Sequence, residues 1–283
     1  MAVEPTVSAF KRTVWSASIL RALETITSMR NHCNFQYQKD TKNAKEVKIL
    51  SVNRPTISKY VPGTALKRES VKDSAITLKL DQYHYFNFEV EDIDVAQSVP
   101  GLMEAITEEA ARGLALEGDK YVSEVIKTAA DAGEIGVSDD VITLTKSNAI
   151  EKVEDGFTYL YEHNCKVSDT FYLEVAPKVF TTYRQQLTEL STNNPEILKK
   201  GAVGKVNNAF VCIENCLAID TEADAYYNVL RTDRAVAFAE QIDKIEKYRP
   251  EDAFTDAVKG LYVFGATIVR PEEIYVMKTK RTA

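Results

Sequence analysis

Apolar residues recur at three- and four-residue spacing between positions 14 and 29, at Trp15, Ile19, Leu23 and Ile26, which predicts one amphipathic helix. A polar stretch, 31–45, follows with no core pattern, so the helix reads as an arm on a tether that needs a surface to lie on. The period then changes. Val47 and Ile49 open a strand-like run that reaches Tyr60, and Val61-Pro62-Gly63-Thr64 is a turn signal. After the charged stretch 67–73 the chain returns with positions 76, 78, 80, 84, 86, 88 and 90 on one face, apolar except for His84. Thr77, Lys79, Asp81, Asn87 and Glu89 lie on the other. A single strand over 76–90 spans about 45 Å. A two-stranded hairpin that long is barely stable alone. It belongs either to the protein's own sheet or to an arm laid over a neighbouring subunit.

The longest helical pattern follows. Ser98 suits an N-cap with Pro100 just inside, a stripe runs through Leu102, Ile106, Ala110, Leu114, Tyr121 and Val125, and Gly133 closes it. Some thirty residues at 1.5 Å each give roughly 45 Å, long enough for a spine. Gly113 and Gly118 inside it suggest close packing or a bend. Beyond it the pattern predicts strands at 142–144 and 171–175, helices at 147–162 and 177–190, and a strand-turn-strand over 201–219. Further strands are expected at 229–231, 235–238, 242–248, 261–269 and 274–278. No internal repeat is visible, and the class is α+β.

Composition narrows the function. The 283 residues carry 35 Lys+Arg against 42 Asp+Glu, a net charge of −7, with 45% hydrophobic residues, enough for a real core. The acidic balance, pI near 5.2, argues against gripping nucleic acid through its phosphates. No run approaches the ~20 apolar residues of a membrane helix, and the N-terminus lacks a signal-peptide pattern. The expectation is a chain kept in a cytoplasm, with no membrane partner. Four Cys and three His are too few for a disulfide framework. Cys212 and Cys216, if on one strand, lie about 13 Å apart, beyond disulfide or shared-metal reach. As a helical turn they could meet, but neither they nor the pair His163 and Cys165 completes a ligand set, so free thiols, no metal and no cofactor are expected.

Catalytic motifs are missing as well. Gly201-Ala-Val-Gly204-Lys205 lacks the third glycine and the Ser/Thr of a phosphate loop and reads as a turn into a strand. There is no Gly-x-Ser-x-Gly and no His-Glu-x-x-His. The acid pairs Glu108-Glu109, Asp139-Asp140 and Glu272-Glu273 suit solvated faces.

Arm helix, long hairpin, spine helix and mixed domain, in that order, resemble the major capsid proteins of tailed bacteriophages, with their Hong Kong 97-type fold. The wording agrees. Phe88-Glu-Val-Glu-Asp-Ile-Asp-Val-Ala-Gln-Ser98 resembles the hairpin-to-spine junction, and Leu116-Glu-Gly-Asp119-Lys-Tyr121 the spine. Gly201-Ala-Val-Gly-Lys-Val-Asn-Asn-Ala-Phe-Val211 is similar to a turn and strand of the axial domain. The closing run is the most specific: Arg234-Ala-Val-Ala-Phe-Ala-Glu-Gln241, Ile245-Glu-Lys-Tyr-Arg249, Gly260-Leu-Tyr-Val-Phe-Gly265-Ala and Arg270-Pro-Glu-Glu-Ile274.

The resemblance implies an N-terminal arm at 1–42, an E-loop hairpin with flanking strands at 43–95, and a peripheral domain with the spine helix at 96–166. It further implies an axial domain at 167–248 and C-terminal strands at 249–283 returning to the peripheral domain. Its assembly contacts would be Trp15, Ile19 and Leu23 in the arm and Gly63, Lys67 and Arg68 near the E-loop tip. Some family members join an E-loop lysine to a neighbour's asparagine, and Lys67 has the position for it. The implied partners are copies of the same chain in pentamers and hexamers, a separate scaffolding protein, a portal, and enclosed double-stranded DNA that is not read in sequence. The implied location is the virion, with the host cytoplasm during assembly. Two other readings stand beside it: an encapsulin-type nanocompartment shell, and a small cytoplasmic enzyme built on the Cys212/Cys216 region.

Overall fold

A computed structural model of the chain describes residues 28–43, 45–52, 57, 59, 73–91, 102–145, 147–189, 204–250 and 255–280. Most of the expected arm helix lies outside these residues, as do the turn at 61–64 and the N-cap Ser98.

The expected hairpin is present at its base. Strand β1 (Glu46–Val52) pairs antiparallel with β2 (Asp73–Lys79), from Glu46 opposite Lys79 to Val52 opposite Asp73. The single long strand expected over 76–90 is in fact two. Leu80 and Asp81 interrupt it, and β3 (Gln82–Glu91) joins a different sheet. The inward–outward alternation keeps its phase across the break, with Leu78, Leu80, His84, Phe86 and Phe88 inward. A pattern of side chains reports which face is buried; it does not report which strand supplies the hydrogen bonds.

The second sheet has the order β10-β11-β3, where β10 is Val236–Tyr248 and β11 is Thr255–Ile268. The short strands expected at 235–238 and 242–248 are one strand, bent by a register shift between Ile242 and Lys244. Two glycines of β11 let its neighbours approach. Gly260 lies opposite Phe86, whose ring covers it so closely that an added Cβ would sit 2.4 Å from Cε1. At Gly265 an added Cβ would be 1.8 Å from the carbonyl oxygen of Lys79, so the backbone at the end of β2 rests directly on β11. Ile49, Leu78 and Leu80 pack there with Ala237, Ala239 and Val263, which roots the β1–β2 ribbon on this sheet.

Helix α1 (Leu102–Asp131) is the expected spine. Its end is a Schellman motif: Gly133 has φ +70°, its N–H bonds the Ala130 carbonyl at 3.1 Å, and the Glu134 N–H bonds Ala129 at 2.9 Å. The buried face is centred on Leu114, Ala115, Val122, Ile126 and Ala130, with Tyr121 and Val125 at its margin. Gly118 is buried near Phe238, Arg30 and Tyr262, yet a Cβ there would meet only ordinary contacts of 3.7–3.8 Å. Gly113 is open on the surface. Neither position shows the close approach expected of it.

The largest sheet has the order β4-β12-β9-β5-β7-β6, with β8 on β9. Its strands are β4 (Gly136–Val137), β5 (Phe171–Val175), β6 (Lys205–Val206), β7 (Ala209–Ile213), β8 (Ile219–Asp220), β9 (Ala225–Thr232) and β12 (Ile274–Lys280). β5 and most of β9 are buried on both faces, as central strands are. Helices α2 (Ala149–Glu162) and α3 (Pro177–Glu189) complete the fold, α2 lying against β12 and β9. β11 pairs with β3, but β12 inserts beside β9 in the sheet formed mainly by 171–232. β11 pairs with β10 as well, so each closing strand bridges the 167–248 unit and an earlier part of the chain, β12 doing so between β9 and β4. The apolar positions Ile274, Val276 and Met277 of β12 complete that buried sheet.

The polar stretch 31–45 also needs correcting. From Arg30 to Asn43 it folds into two 3-10 helices and docks along β10. Asn34, opposite Ala237, donates its N–H to the Val236 carbonyl (2.8 Å) and accepts the Phe238 N–H (3.1 Å), and the Gln38 side chain both donates to the Glu240 carbonyl (2.5 Å) and accepts its N–H (3.0 Å). A polar segment can bury itself when its side chains find partners of this kind, which hydropathy does not register.

Candidate functional site

The six expected assembly contacts, Trp15, Ile19, Leu23, Gly63, Lys67 and Arg68, lie outside the described residues. What the structure describes is the junction to which those segments connect, together with the exposed apolar surface around it.

The junction is built on buried charge. Arg231 of β9 and Glu174 of β5 are fully buried. Arg231 donates to Glu174 through Nε (2.9 Å) and Nη2 (2.7 Å). It also reaches the carbonyls of Met29 (2.9 Å) and His32 (3.0 Å), so one guanidinium ties the 28–43 segment to the large sheet. His32 adds Nδ1 at 3.0 Å from Glu174 and stacks on Tyr172 with centroids 4.0 Å apart. Burial alone would push the Glu174 carboxyl up. The Arg231 charge and the bonds from His32 and Arg231 outweigh it and hold Glu174 below the usual carboxylate range.

A second cluster binds the same segment to α1 and the β10–β11 pair. Arg30, 2% exposed, pairs with Glu240 and donates to the Tyr262 hydroxyl at 2.6 Å, while its backbone N–H bonds Asp119 at 2.9 Å. Burial raises the Asp119 carboxyl despite that bond. A third network closes the β9–β10 turn: Thr232 and Arg270 (2.8 Å) bond Glu273, and Arg234 bridges Glu273 (3.3 Å) and Asp169 (2.8 Å). Arg234, Arg270 and Glu273 belong to the closing motifs noted in the sequence, and this turn is their structural purpose.

The cysteines are free thiols, Cys33 and Cys165 buried, Cys212 and Cys216 half-buried. Cys212 Sγ lies 3.7 Å from His32 Nε2. Burial pushes the Cys212 thiol up to about 12, with the Glu174 and Glu214 charges adding to the effect. Burial thus disfavours the thiolate, which is the nucleophilic form of this side chain. Glu214, which sequence reasoning did not single out, is pushed up to about 7, chiefly by burial.

Exposed apolar side chains mark the surface. Leu50 is 73% exposed on β1. Tyr83 and Tyr85, 54% and 78% exposed, stand side by side on the outward face of β3, an edge strand. Phe210 and Ile213 lie on β7, and Val167 precedes β5. The sequence reading placed only polar residues on the outward face of the 76–90 run; the alternation puts both tyrosines there too. Among the described residues no helix is long and apolar enough to cross a membrane.

No family model and no curated protein matches the chain. Solved structures do. A structure of Mycobacterium phage Che8 is similar with a TM-score of 0.76 and 25% identity, covering 89% of this chain and 90% of that one. The capsid structure of the cyanophage P-SCSP1u matches with a TM-score of 0.71 and 16% identity over 90% and 89%. A virus-like particle from Pyrococcus furiosus matches with a TM-score of 0.58 and 14% identity over 94% and 99%.

Proposed function

We propose that this chain, which folds as the Hong Kong 97-type major capsid proteins of tailed phages do, is itself the coat protein of a phage or prophage head. The observation that carries the reading is the match to phage structures along about nine-tenths of both chains. On this reading the β1–β2 ribbon is the base of the E-loop, α1 is the spine of the peripheral domain, and the large sheet forms most of the axial domain. Subunits join head to tail around five- and six-fold axes into a closed shell. The arm and E-loop lie across neighbours, with Trp15, Ile19, Leu23, Gly63, Lys67 and Arg68 among their contacts, and cover apolar surface of the kind seen at Leu50, Tyr83 and Tyr85. A separate scaffold and a portal assist, double-stranded DNA is enclosed without being read, and the product resides in the virion after assembly in the host cytoplasm. The role is structural rather than enzymatic.

The encapsulin-type reading keeps one observation in its favour, the likeness to a virus-like particle. Size-exclusion chromatography and negative-stain electron microscopy of the protein, expressed alone and with the scaffold, test both. Rings, capsomers or shells are expected. Shells loaded with a cargo enzyme would favour the nanocompartment, and a subunit that stays monomeric with scaffold present would overturn both.

A further inference from the structure

The junction holds more negative charge than its arginines balance. Asp119, Glu174, Glu214 and Glu240 face Arg30 and Arg231, a surplus of two charges when all four carboxyls are ionised. Glu174 and Glu240 each have a guanidinium partner. Glu214, in the segment between β7 and β8, has no cationic partner among the described residues.

Three donors converge at this point. A carboxylate oxygen of Asp119 on α1, one of Glu214, and the Sγ of Cys216 all lie within 4.8 Å of one another. Asp119 and Glu214 are only 5% and 4% exposed. A second observation is independent of that proximity: Glu214 Oε1 is buried with no hydrogen-bond partner, while Oε2 receives the Cys216 thiol at 3.8 Å. Buried carboxylate oxygens are ordinarily hydrogen-bonded, ion-paired or bound to a cation, because leaving one bare costs several kcal/mol.

We propose that Asp119, Glu214 and Cys216 form a binding site for a divalent transition cation of the zinc class. Two hard oxygens and one soft sulfur suit zinc better than magnesium or calcium, which take oxygen ligands alone. Three protein donors leave a fourth tetrahedral position for water or for Ser28, whose groups already bond Asp119 and Glu214. Binding forms a metal–sulfur bond and releases the thiol proton to solvent, with no change of oxidation state. The cation's two positive charges offset the surplus of the four carboxylates, and the thiolate formed on binding leaves the junction with one negative charge instead of two. It joins the spine helix to the large sheet at the root of the N-terminal segment.

The site is tested on the purified, unassembled full chain, stripped with a chelator and titrated with Co²⁺ as a spectroscopic probe and with Zn²⁺. The expected result is one Co²⁺ per chain with a near-ultraviolet sulfur-to-cobalt charge-transfer band, displaced by one equivalent of Zn²⁺, and a higher melting temperature with Zn²⁺. Glu214→Gln, nearly isosteric, weakens binding about 10-fold or more; Cys216→Ser abolishes the band, and Cys212→Ser leaves it. No band and no Zn²⁺-dependent melting shift would overturn the proposal. So would a band that survives Cys216→Ser, or affinity unchanged by Glu214→Gln, which remains decisive where Cys216→Ser does not fold. The measurement is made before any shell forms, so its outcome is separate from that of the capsid reading.

Discussion

Replacing Arg231 by methionine keeps the volume of the side chain near that of arginine and removes its charge. Glu174 would then remain fully buried, keeping its contact with His32 but no guanidinium partner, and stranding one member of a buried ion pair costs about 3–5 kcal/mol. The Met29 carbonyl keeps its bond from the His32 N–H at 3.2 Å, but the carbonyl of His32 loses the Arg231 donor, a further penalty of about 1–3 kcal/mol. The total, about 4–8 kcal/mol, rivals the whole stability of an ordinary domain, about 5–15 kcal/mol. Glu174→Gln preserves shape and is expected to cost about 3 kcal/mol. The double variant Arg231→Met with Glu174→Gln strands no charge and is expected to cost only about 1–3 kcal/mol, less than either the Arg231 variant or the sum of the two singles. Urea unfolding of the unassembled subunit, followed by far-ultraviolet circular dichroism at pH 7, measures all three. A loss below about 1 kcal/mol for Arg231→Met, or a double variant as unstable as the sum, would refute the reasoning.

Gly265→Ala drives a methyl group into the Lys79 carbonyl and is expected to cost about 3 kcal/mol, read as a lower melting temperature with faster proteolysis between residues 46 and 79. Gly113→Ala, in an open helical position, is expected to add up to about 1 kcal/mol, roughly 2 °C in melting temperature. Because Glu174 titrates below its unfolded value of 4.5, its contribution to stability is present above pH 4.5 and lost as pH falls through its lower folded value. Unfolding free energies measured from pH 6 to pH 3 should therefore drop in the acid limb, and Glu174→Gln should flatten that drop. Tyr85→Ser is expected to change subunit stability by less than about 0.5 kcal/mol while lowering the yield of rings or shells by size-exclusion chromatography. Unchanged yield would remove this edge from the assembly surface.

Local chemistry was legible in the sequence wherever one segment contains its own explanation. Gly133 ends the spine because a left-handed residue is needed there, and the alternation from Ile76 to Phe88 shows which side is buried. The division at Leu80 was hidden because both halves keep the same phase while their hydrogen-bond partners lie on strands far apart in sequence, β1 and β11. Strand β9 was read as only three residues, 229–231, because Asn228 and Arg231 interrupt its apolar run. Both are fully buried, Asn228 bonding the Ala176 N–H at 2.9 Å and Arg231 held as described. The donor group of Asp119, Glu214 and Cys216 has no spacing to recognise, since its members come from a helix and a loop far apart in the chain and meet only through tertiary packing. The arm and the E-loop tip, where the sequence placed its assembly contacts, lie outside the described residues.

The seat of the β1–β2 ribbon on Gly265 makes that glycine the fulcrum of a lever. Seven residues at about 3.3 Å each give the ribbon a reach of roughly 23 Å. At that radius, a change of about 5° at the fulcrum carries the far end about 2 Å, more than a well-packed contact tolerates. If the chain is a coat subunit, as proposed, fitting both five-fold and six-fold surroundings calls for a joint that can take a few discrete angles and drift between none of them. A strand that changes sheets at Leu80, with carbonyl resting on glycine, is such a joint: the break in pairing lets the ribbon turn as a unit, and the absence of a side chain keeps its bearing surface hard.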